Sequence, residues 1–397
     1  MRTVEQHRRV VHDLIVPRSA AAVAVADAHG LVLAADVTAP LSLPVFDNSG
    51  MDGYAVRTAD VAAATPDEPV ILPVPEDIPA GRTDVLALAP GTAHRIMTGA
   101  PVPAGADAVV PVELTDAGMP VVRIMRTAKP GQHIRRAGED VAAGTTVLRA
   151  GRVATPAALG LAAALGLAEL TVTPRQRVLV VSTGSELVAP GTPLKPGQIY
   201  ESNAVMLAAA AREAGAAVVD VTTSSDDVGT FRAVLDRHAG ESDVVLTTGG
   251  VSAGAYEVVK DALGGTVEFA KVAMQPGMPQ GAGTLPDGRT ILTLPGNPVS
   301  ALVSFEVFVR PALRAAMGLE PHRPVHSAEL AEDLTSPSGK RQFRRGVYDP
   351  GAGTVTSYGP PASHHLRWLA SANCLLEIDE AVTDMAAGDR VRIWDLR

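Results

Sequence analysis

Residues 243–254 read DVVLTTGGVSAG, a short apolar run that passes directly into a glycine-rich turn. A run of this length, rich in β-branched residues and closed by glycines, is the pattern of a strand buried on both faces of a parallel sheet. The flanking sequence repeats the theme. RVLVVST (177–183) leads into a helical stretch from Ser202 to Arg212 that stops near Gly215, and AAVVDVTTS (216–224) leads into an acid-capped helix from Asp226 to His238. This βαβαβ alternation predicts a parallel sheet covered by helices. TVEFAKVAM (266–274), TILTLPG (290–296) and a helix from Pro298 to Met317, capped by Asn297, complete a three-layer α/β domain over 176–318.

Working outward, the N-terminus predicts an amphipathic helix capped by Thr3, with Val4, Val11, Leu14 and Ile15 on one face. To about residue 175 the chain alternates short apolar runs with glycine and proline, a β-rich texture. Proline-rich joints at 39–44 and 101–111 point to an insertion. The predicted division is an N-terminal helix and linker domain (1–45 with 141–175), an inserted β-rich subdomain (46–140), the α/β domain, and a small C-terminal β-barrel (319–397) built on VYDP, NCLLEI and RVRIWDL.

Composition narrows the function. The 397 residues exceed what one core usually serves. Lys and Arg total 34 against 43 Asp and Glu, a formal charge of −9 without a long basic run, so no nucleic-acid footprint is visible. The single cysteine, Cys374, excludes an intrachain disulfide and a multi-thiolate zinc site, and points to a reducing, cytoplasmic setting. Its run, SANCLLEI, marks a buried, inert thiol. The first residues lack the apolar core of a signal peptide, and the most membrane-like stretch, 153–170, is interrupted by Pro156 and glycines; it reads as a helix capped by Thr155. Neither export nor a membrane partner is expected.

Three strands end in turns: STGSEL (182–187), TTGGVSAG (247–254) and LPGNPVS (294–300). Ligands of open parallel sheets bind beyond the carboxyl ends of the strands, so these turns are expected to border one crevice. Gly249, Gly250 and Gly254 leave room for backbone N–H groups to face phosphate oxygens, and Thr247, Thr248 and Ser252 add hydroxyl donors. A plain strand-to-helix turn has the same composition, and the run matches neither the dinucleotide fingerprint nor the Walker A pattern. Glu186, Asp226 and Glu257 recur beside the turns, as helix caps or as a carboxylate set for Mg²⁺ shared with ligand phosphates. FDNSGMDGYAV (46–56) holds Asp52 on a glycine hinge, and Thr98 and Asp140 sit in similar stretches. All three read as turn residues or as exposed site residues. Lys271 and KRQFRRG (340–346) are the available cations. Arg345 offers a planar donor fork to an oxyanion, although such a cluster is commonly a solvated face.

In order along the chain, DNSGMDGYAV, IMTGAPVPAGAD, AGEDV, STGSELV, IYESN, TTGGVSAG, the PGMP loop, LPGNPVS, FRRG and SAN resemble the MoeA family, the molybdopterin molybdenumtransferases, whose eukaryotic relatives include the E domain of gephyrin. The resemblance implies Mg²⁺-dependent insertion of molybdenum from molybdate into adenylylated molybdopterin with release of AMP. It implies a MogA-like α/β domain, a homodimer, and a MogA-like adenylyltransferase as supplying partner. By position, Asp52, Asp140, Glu186, Asp226 and Glu257 match catalytic acids, the last three also as metal ligands. Thr98, Ser182, Thr183, Gly184, Thr248, Gly249, Gly250, Ser252, Gly254, Lys271, Gln275, Pro276, Pro279, Pro298, Ser300, Arg345 and Ser371 match substrate-binding positions. Two departures stand out. Many members read KPGKP where this chain has QPGMP (275–279), so Gln275 and Met278 replace two lysines, and Glu257 stands where Asp is common. Alternatives of other classes are a molybdopterin adenylyltransferase and a noncatalytic, gephyrin-like scaffold.

Overall fold

The structure is a computed structural model that describes residues 1–250 and 258–397. The chain divides into two compact units, Met1–Ala21 with Val172–Arg397, and Ala22–Thr171.

The larger unit is organised by a six-stranded sheet. In chain order its strands are β1 (Arg177–Thr183), β2 (Ala217–Ser224), β3 (Val244–Thr248), β4 (Val267–Lys271), β5 (Pro279–Thr284) and β6 (Thr290–Leu294), and their spatial order is β2-β1-β3-β6-β5-β4. β2, β1, β3 and β6 pair in parallel, and β5 runs antiparallel to both β6 and β4. The period of two along each strand makes the three layers. Val178, Val180, Val244, Leu246 and Leu292 face one core, and Leu179, Val181, Val245 and Ile291 face the other. On the first face pack α1 (Val4–Leu14), α2 (Asn203–Glu213) and the helix that starts at Pro298, through Val4, Val11, Leu207 and Val303. On the second pack α3 (Val228–Arg237) and α4 (Val258–Leu263), through Phe231, Leu235, Val259 and Leu263. Each fully buried aliphatic side chain contributes about 1.5–3 kcal/mol.

α1 begins at its predicted cap, Thr3, and the structure adds a capping box. The Thr3 hydroxyl accepts from the Gln6 N–H while the Gln6 side chain accepts from the Thr3 N–H. The cap of α3 differs from expectation. Asp227, not Asp226, accepts from the Thr230 N–H at 2.7 Å, which leaves the Asp226 carboxylate for another role. The expected helix from Pro298 to Met317 is also not one α-helix. It runs as α5 (Pro298–Ser304), a π turn (Phe305–Val309) and α6 (Arg310–Ala316). Pro311 is the cause, because it brings no N–H to the carbonyl four residues back, at Val307. That carbonyl accepts instead from the Arg8 Nε of α1 at 3.3 Å. Asn297 occupies the cap position, but its side-chain amide donates to Ser363 Oγ at 2.9 Å rather than accepting from the helix.

Beyond α6, five strands close a barrel: β7 (Val325–Leu330), β8 (Arg341–Asp349), β9 (Thr354–Ser357), β10 (Cys374–Ile378) and β11 (Arg390–Asp395). The pairing runs β8-β9-β7-β11-β10 and returns to β8. Alternate residues, among them Ala328, Leu330, Val355, Leu376, Val391 and Ile393, fill it. Cys374 lies in this core, where burial pushes its thiol up to about 12, so it is a packing residue rather than a nucleophile. The two-residue strand Met274–Gln275 pairs with Arg341–Gln342 of β8 and ties the sheet to the barrel.

The smaller unit is β-rich. A four-stranded sheet has the order Glu76–Ile78, His94–Ile96, Gly53–Val56, Ala108–Pro111. Val121–Ile124 pairs with Val70–Pro73, and Tyr54, Val61, Leu72, Val110, Val122 and Ile124 share a core. The helix Pro156–Ala164 is capped by Thr155, whose hydroxyl accepts from the Ala158 N–H.

Candidate functional site

The parallel register brings the strand ends level. Ser182 of β1 stands opposite Thr248 of β3, and Thr248 opposite Leu294 of β6. The three turns that follow open on one cavity of about 1110 Å³ in the larger unit. Ser182, Thr183, Gly184, Glu186, Asp226, Thr248, Gly249, Gly250, Gln275, Pro276, Pro279, Pro298 and Ser300 all line it. The expected shared crevice is therefore present, and thirteen of the residues singled out in the sequence meet there.

The central turn needs its glycines. Gly249 has φ +94°, and a Cβ there would lie 2.6 Å from the Thr183 carbonyl oxygen. A Cβ on Gly296 would lie 3.4 Å from the Gly249 Cα, so the two turns meet backbone to backbone. Asn203 ties them together. Its side-chain amide donates to Thr248 Oγ1 at 3.1 Å and to the Gly296 carbonyl at 2.6 Å, while Thr248 Oγ1 donates to the Pro295 carbonyl.

The acids are placed by the first turn. The Glu186 carboxylate lies where a Cβ on Gly184 would stand, 2.5 Å from that position. Asp226 and Ser185 form a reciprocal pair: the Ser185 N–H donates to the Asp226 carboxylate at 3.0 Å, and the Asp226 N–H donates to Ser185 Oγ at 3.1 Å. A third lining acid, Glu201, is buried, and accepts from Ser182 Oγ at 2.7 Å and from the Ala204 N–H at 2.6 Å at the start of α2. Among the described residues no group of three His, Cys, Asp or Glu side chains is placed to hold a metal ion. Glu257, Ser252 and Gly254 lie outside the described residues, as does the start of the helix expected near Ala255.

The expected cations are placed elsewhere. Lys271 is exposed at the end of β4 and is not part of the lining. Arg345 is buried, and its guanidinium donates to the carbonyls of Pro360, Ala362 and His365, which occupies the fork with backbone. Its effect on the cavity is indirect, since it pins the segment that supplies the lining residues Ala362, Ser363 and His364. Ser371 is exposed outside the lining and donates to the Arg367 carbonyl at 3.3 Å. Among the described residues, the Lys or Arg side chain that does line the cavity is Lys340, just before β8. Sequence reasoning had it only as one member of a basic cluster, and Glu201 and Asn203 only inside the IYESN motif. Gln275 lines the cavity and accepts from the Gln342 amide at 3.2 Å.

Asp52, Thr98 and Asp140 belong to the smaller unit and are exposed. Asp52 accepts from both the Thr98 N–H, at 2.6 Å, and Thr98 Oγ1, at 2.7 Å, and these bonds hold its carboxyl below the usual carboxylate range. Asp140 donates its backbone N–H to the Leu43 carbonyl at 3.0 Å.

A parallel α/β sheet whose strand-end turns enclose a cavity, followed by a closed five-stranded barrel, defines an α/β ligand-binding enzyme with appended β domains. Comparison with known proteins then specifies the family. Residues 2–166 match the MoeA N-terminal region (domain I and II), 179–315 a probable molybdopterin binding domain, and 327–396 the MoeA C-terminal region (domain IV). The chain is 66% identical to molybdopterin molybdenumtransferase 2 of Mycobacterium tuberculosis over the full length of both, and 39% identical to molybdopterin molybdenumtransferase 1 of the same organism over 99% of this chain and 98% of that one. A crystal structure of the molybdopterin biosynthesis MoeA protein of Pyrococcus horikoshii matches with a TM-score of 0.80 and 30% identity, covering 100% of this chain and 99% of the other. The chain belongs to the molybdopterin molybdenumtransferase family, which places it among the transferases of molybdenum cofactor biosynthesis.

Proposed function

We propose that the chain inserts molybdenum from molybdate into adenylylated molybdopterin with release of AMP, and that the strand-end cavity is where this happens. One observation carries the reading: three glycine turns, the lining acids Glu186, Asp226 and Glu201 and a lysine surround a single cavity large enough for a nucleotide-linked pterin. The turn at Gly249 and Gly250 holds the phosphates. Ser182, Thr183 and Thr248 bring hydroxyls to the same wall, and Pro298 and Ser300 shape the next one. The QPGMP loop and Lys340 form the oxyanion end. With neutral side chains at 275 and 278, Lys340 supplies the fixed positive charge that a dianion requires.

Mg²⁺ belongs to this reading, with Glu186, Asp226 and Glu257 as ligands. The described part of that set fits the ion, because Mg²⁺ takes one or two carboxylates together with water and ligand phosphates, and Glu186 and Asp226 line the same cavity. When bound, the ion would neutralise charge on the phosphoanhydride oxygens. The protein's own part is to fix the two carboxylates, Asp226 through its pairing with Ser185, and to hold the phosphates against the turn so that the bond to AMP is exposed to attack. Asp52, Thr98 and Asp140 are the smaller unit's own contribution to turnover in this reading. Lys271, Arg345 and Ser371 complete the substrate-binding set of this reading, Arg345 by fixing the segment that carries Ala362, Ser363 and His364. The division at 1–45 with 141–175, 46–140, 176–318 and 319–397, a cytoplasmic homodimer, and supply by a MogA-like adenylyltransferase complete the proposal.

The test is a single assay. Purified protein with Mg²⁺, adenylylated molybdopterin and molybdate is expected to release AMP and to yield a cofactor that reconstitutes an apo-molybdoenzyme. Binding of the pterin without AMP release at any molybdate concentration would overturn the reading. Solution mass by light scattering tests the dimer.

A further inference from the structure

Aromatic residues make up 3% of this chain, and the structure hides most of their surface. Tyr54 is buried, Tyr348 stacks on His326, and Tyr358 meets Trp368 edge to face. Tyr200 is different. It is 44% exposed, meets no other ring among the described residues, and its hydroxyl bonds to none of them. It lines the cavity, and among the described lining residues it carries the only benzene ring.

Its backbone is held from both sides while its ring is left uncovered. Ile199–Tyr200 pairs in parallel with Leu187–Val188, with Val188 opposite Tyr200. The Ile199 N–H donates to the Glu186 carbonyl at 3.0 Å, and the Glu201 N–H donates to the Val188 carbonyl at 2.9 Å. The next side chain, Glu201, is buried against Ser182 and the first turn of α2. Tyr200 is thus fixed between a strand-end acid and a helix cap. Leu187 and Ile199 line the cavity with it, so this part of the wall is apolar and flat-ringed in a cavity otherwise rich in glycine, hydroxyls and carboxylates. A rigidly mounted aromatic face open to a cavity is what a flat heterocycle stacks on, and such a side chain has few torsions to freeze when it does so.

We propose that Tyr200 is a stacking platform for a fused heterocycle of the substrate, the pterin or the adenine. This rests on the function proposed above, whose substrate carries both rings. The ladder to Leu187–Val188 then has a second consequence. It couples the platform to the backbone of Glu186, so the seating of the ring and the placing of the acid beside the phosphates are set by one short element.

The experiment measures the binding of AMP, of free pterin and of inorganic pyrophosphate to the full-length wild type, Tyr200→Phe, Tyr200→Leu and Tyr200→Ala by calorimetry. Tyr200→Ala is expected to weaken the stacked ring about tenfold, with Tyr200→Phe near wild type and Tyr200→Leu close to the alanine variant. Pyrophosphate affinity and Tm should not change, because the side chain is exposed and a phosphate offers no ring to stack. Loss confined to AMP identifies the adenine as the occupant, and loss confined to pterin identifies the pterin; both support the platform. Unchanged affinity for both rings in Tyr200→Ala overturns it, as does full rescue by leucine or an equal loss for pyrophosphate. A wild type that binds neither ring removes the functional reading itself, which separates that failure from the failure of the platform.

Discussion

Glu186 and Asp226 stand on the strand-end turns of one parallel sheet and line one cavity. Asp52 and Asp140 stand on turns between short strands of the Ala22–Thr171 unit and face solvent. The sequences around them look alike, an acid among glycines and hydroxyls. The difference comes from what precedes the turn. Parallel strands in register deliver their ends to one edge, so acids separated by forty residues become neighbours of the same space. Antiparallel pairings reverse direction at every turn and scatter theirs, and Asp52 then settles with Thr98.

The comparison breaks most visibly at Asp226. Asp226→Ala should lower AMP release at least about a hundredfold, by removing charge stabilisation at the phosphates, with only a small change in Tm because the side chain is exposed and its bond is to the Ser185 N–H. Full activity in this variant would mean that gathering acids at the sheet edge has no catalytic consequence. Acidification should separate the two units next. Burial holds the His7 imidazole of α1 down at about 4, against an ordinary value of 6.5, so the folded larger unit takes up its proton later than the unfolded chain does. Its contribution is complete above about pH 6.5 and is lost as pH falls toward 4, a change of about 3 kcal/mol that His7→Gln should abolish in pH-dependent denaturation. Asp52 has the opposite sign of sensitivity to its own ionisation. Its carboxyl is depressed, so its contribution holds above the ordinary carboxylate range and fades only as pH falls through the lowered value. A larger unit that keeps its stability at pH 5 would contradict the assignment of His7.

Smaller effects sharpen the picture of the cavity. Lys340→Ala should raise the molybdate concentration required for half-maximal AMP release about tenfold, as expected for one cation removed from a partly desolvated dianion, and Gln275→Lys should lower it. An unchanged requirement in both would place the oxyanion away from the QPGMP loop. Asp52→Asn is expected to give the smallest loss of turnover in the same assay, with only a small fall in Tm from the weakened bonds to Thr98. A loss as large as that of Asp226→Ala would give the exposed acid a direct part in breaking the phosphoanhydride.

Much of this was legible before the structure, and the exceptions have physical causes. Strand periodicity, the caps at Thr3 and Thr155, and the common edge for the three turns follow from local chemistry and parallel-sheet geometry. Asp226 and Asp227 are adjacent acids at a helix start, and only backbone geometry decides that the second one caps the helix and the first one turns to Ser185. Lys340 and Arg345 sit in one basic cluster. Which of them faces the cavity depends on how β8 enters the barrel, and composition does not encode that; Arg345 went to the carbonyls of the 360–365 segment. The π turn required knowing that a residue three hundred positions earlier would accept the burden of Pro311. Lys271 and Ser371 were assigned by motif position, and motif position does not carry side-chain direction.

That last partnership also bears on how the molecule is made. α1 is synthesised well before the residues that its donors and acceptors belong to: Arg8 serves the Val307 carbonyl, the Leu14 carbonyl accepts from Thr290 Oγ1, and Glu5 pairs with Arg341. Until those segments emerge, the helix is an amphipathic strip with no surface to cover. Closure of the larger unit therefore waits for those later segments, and until they emerge the nascent chain carries α1 as an unspent latch.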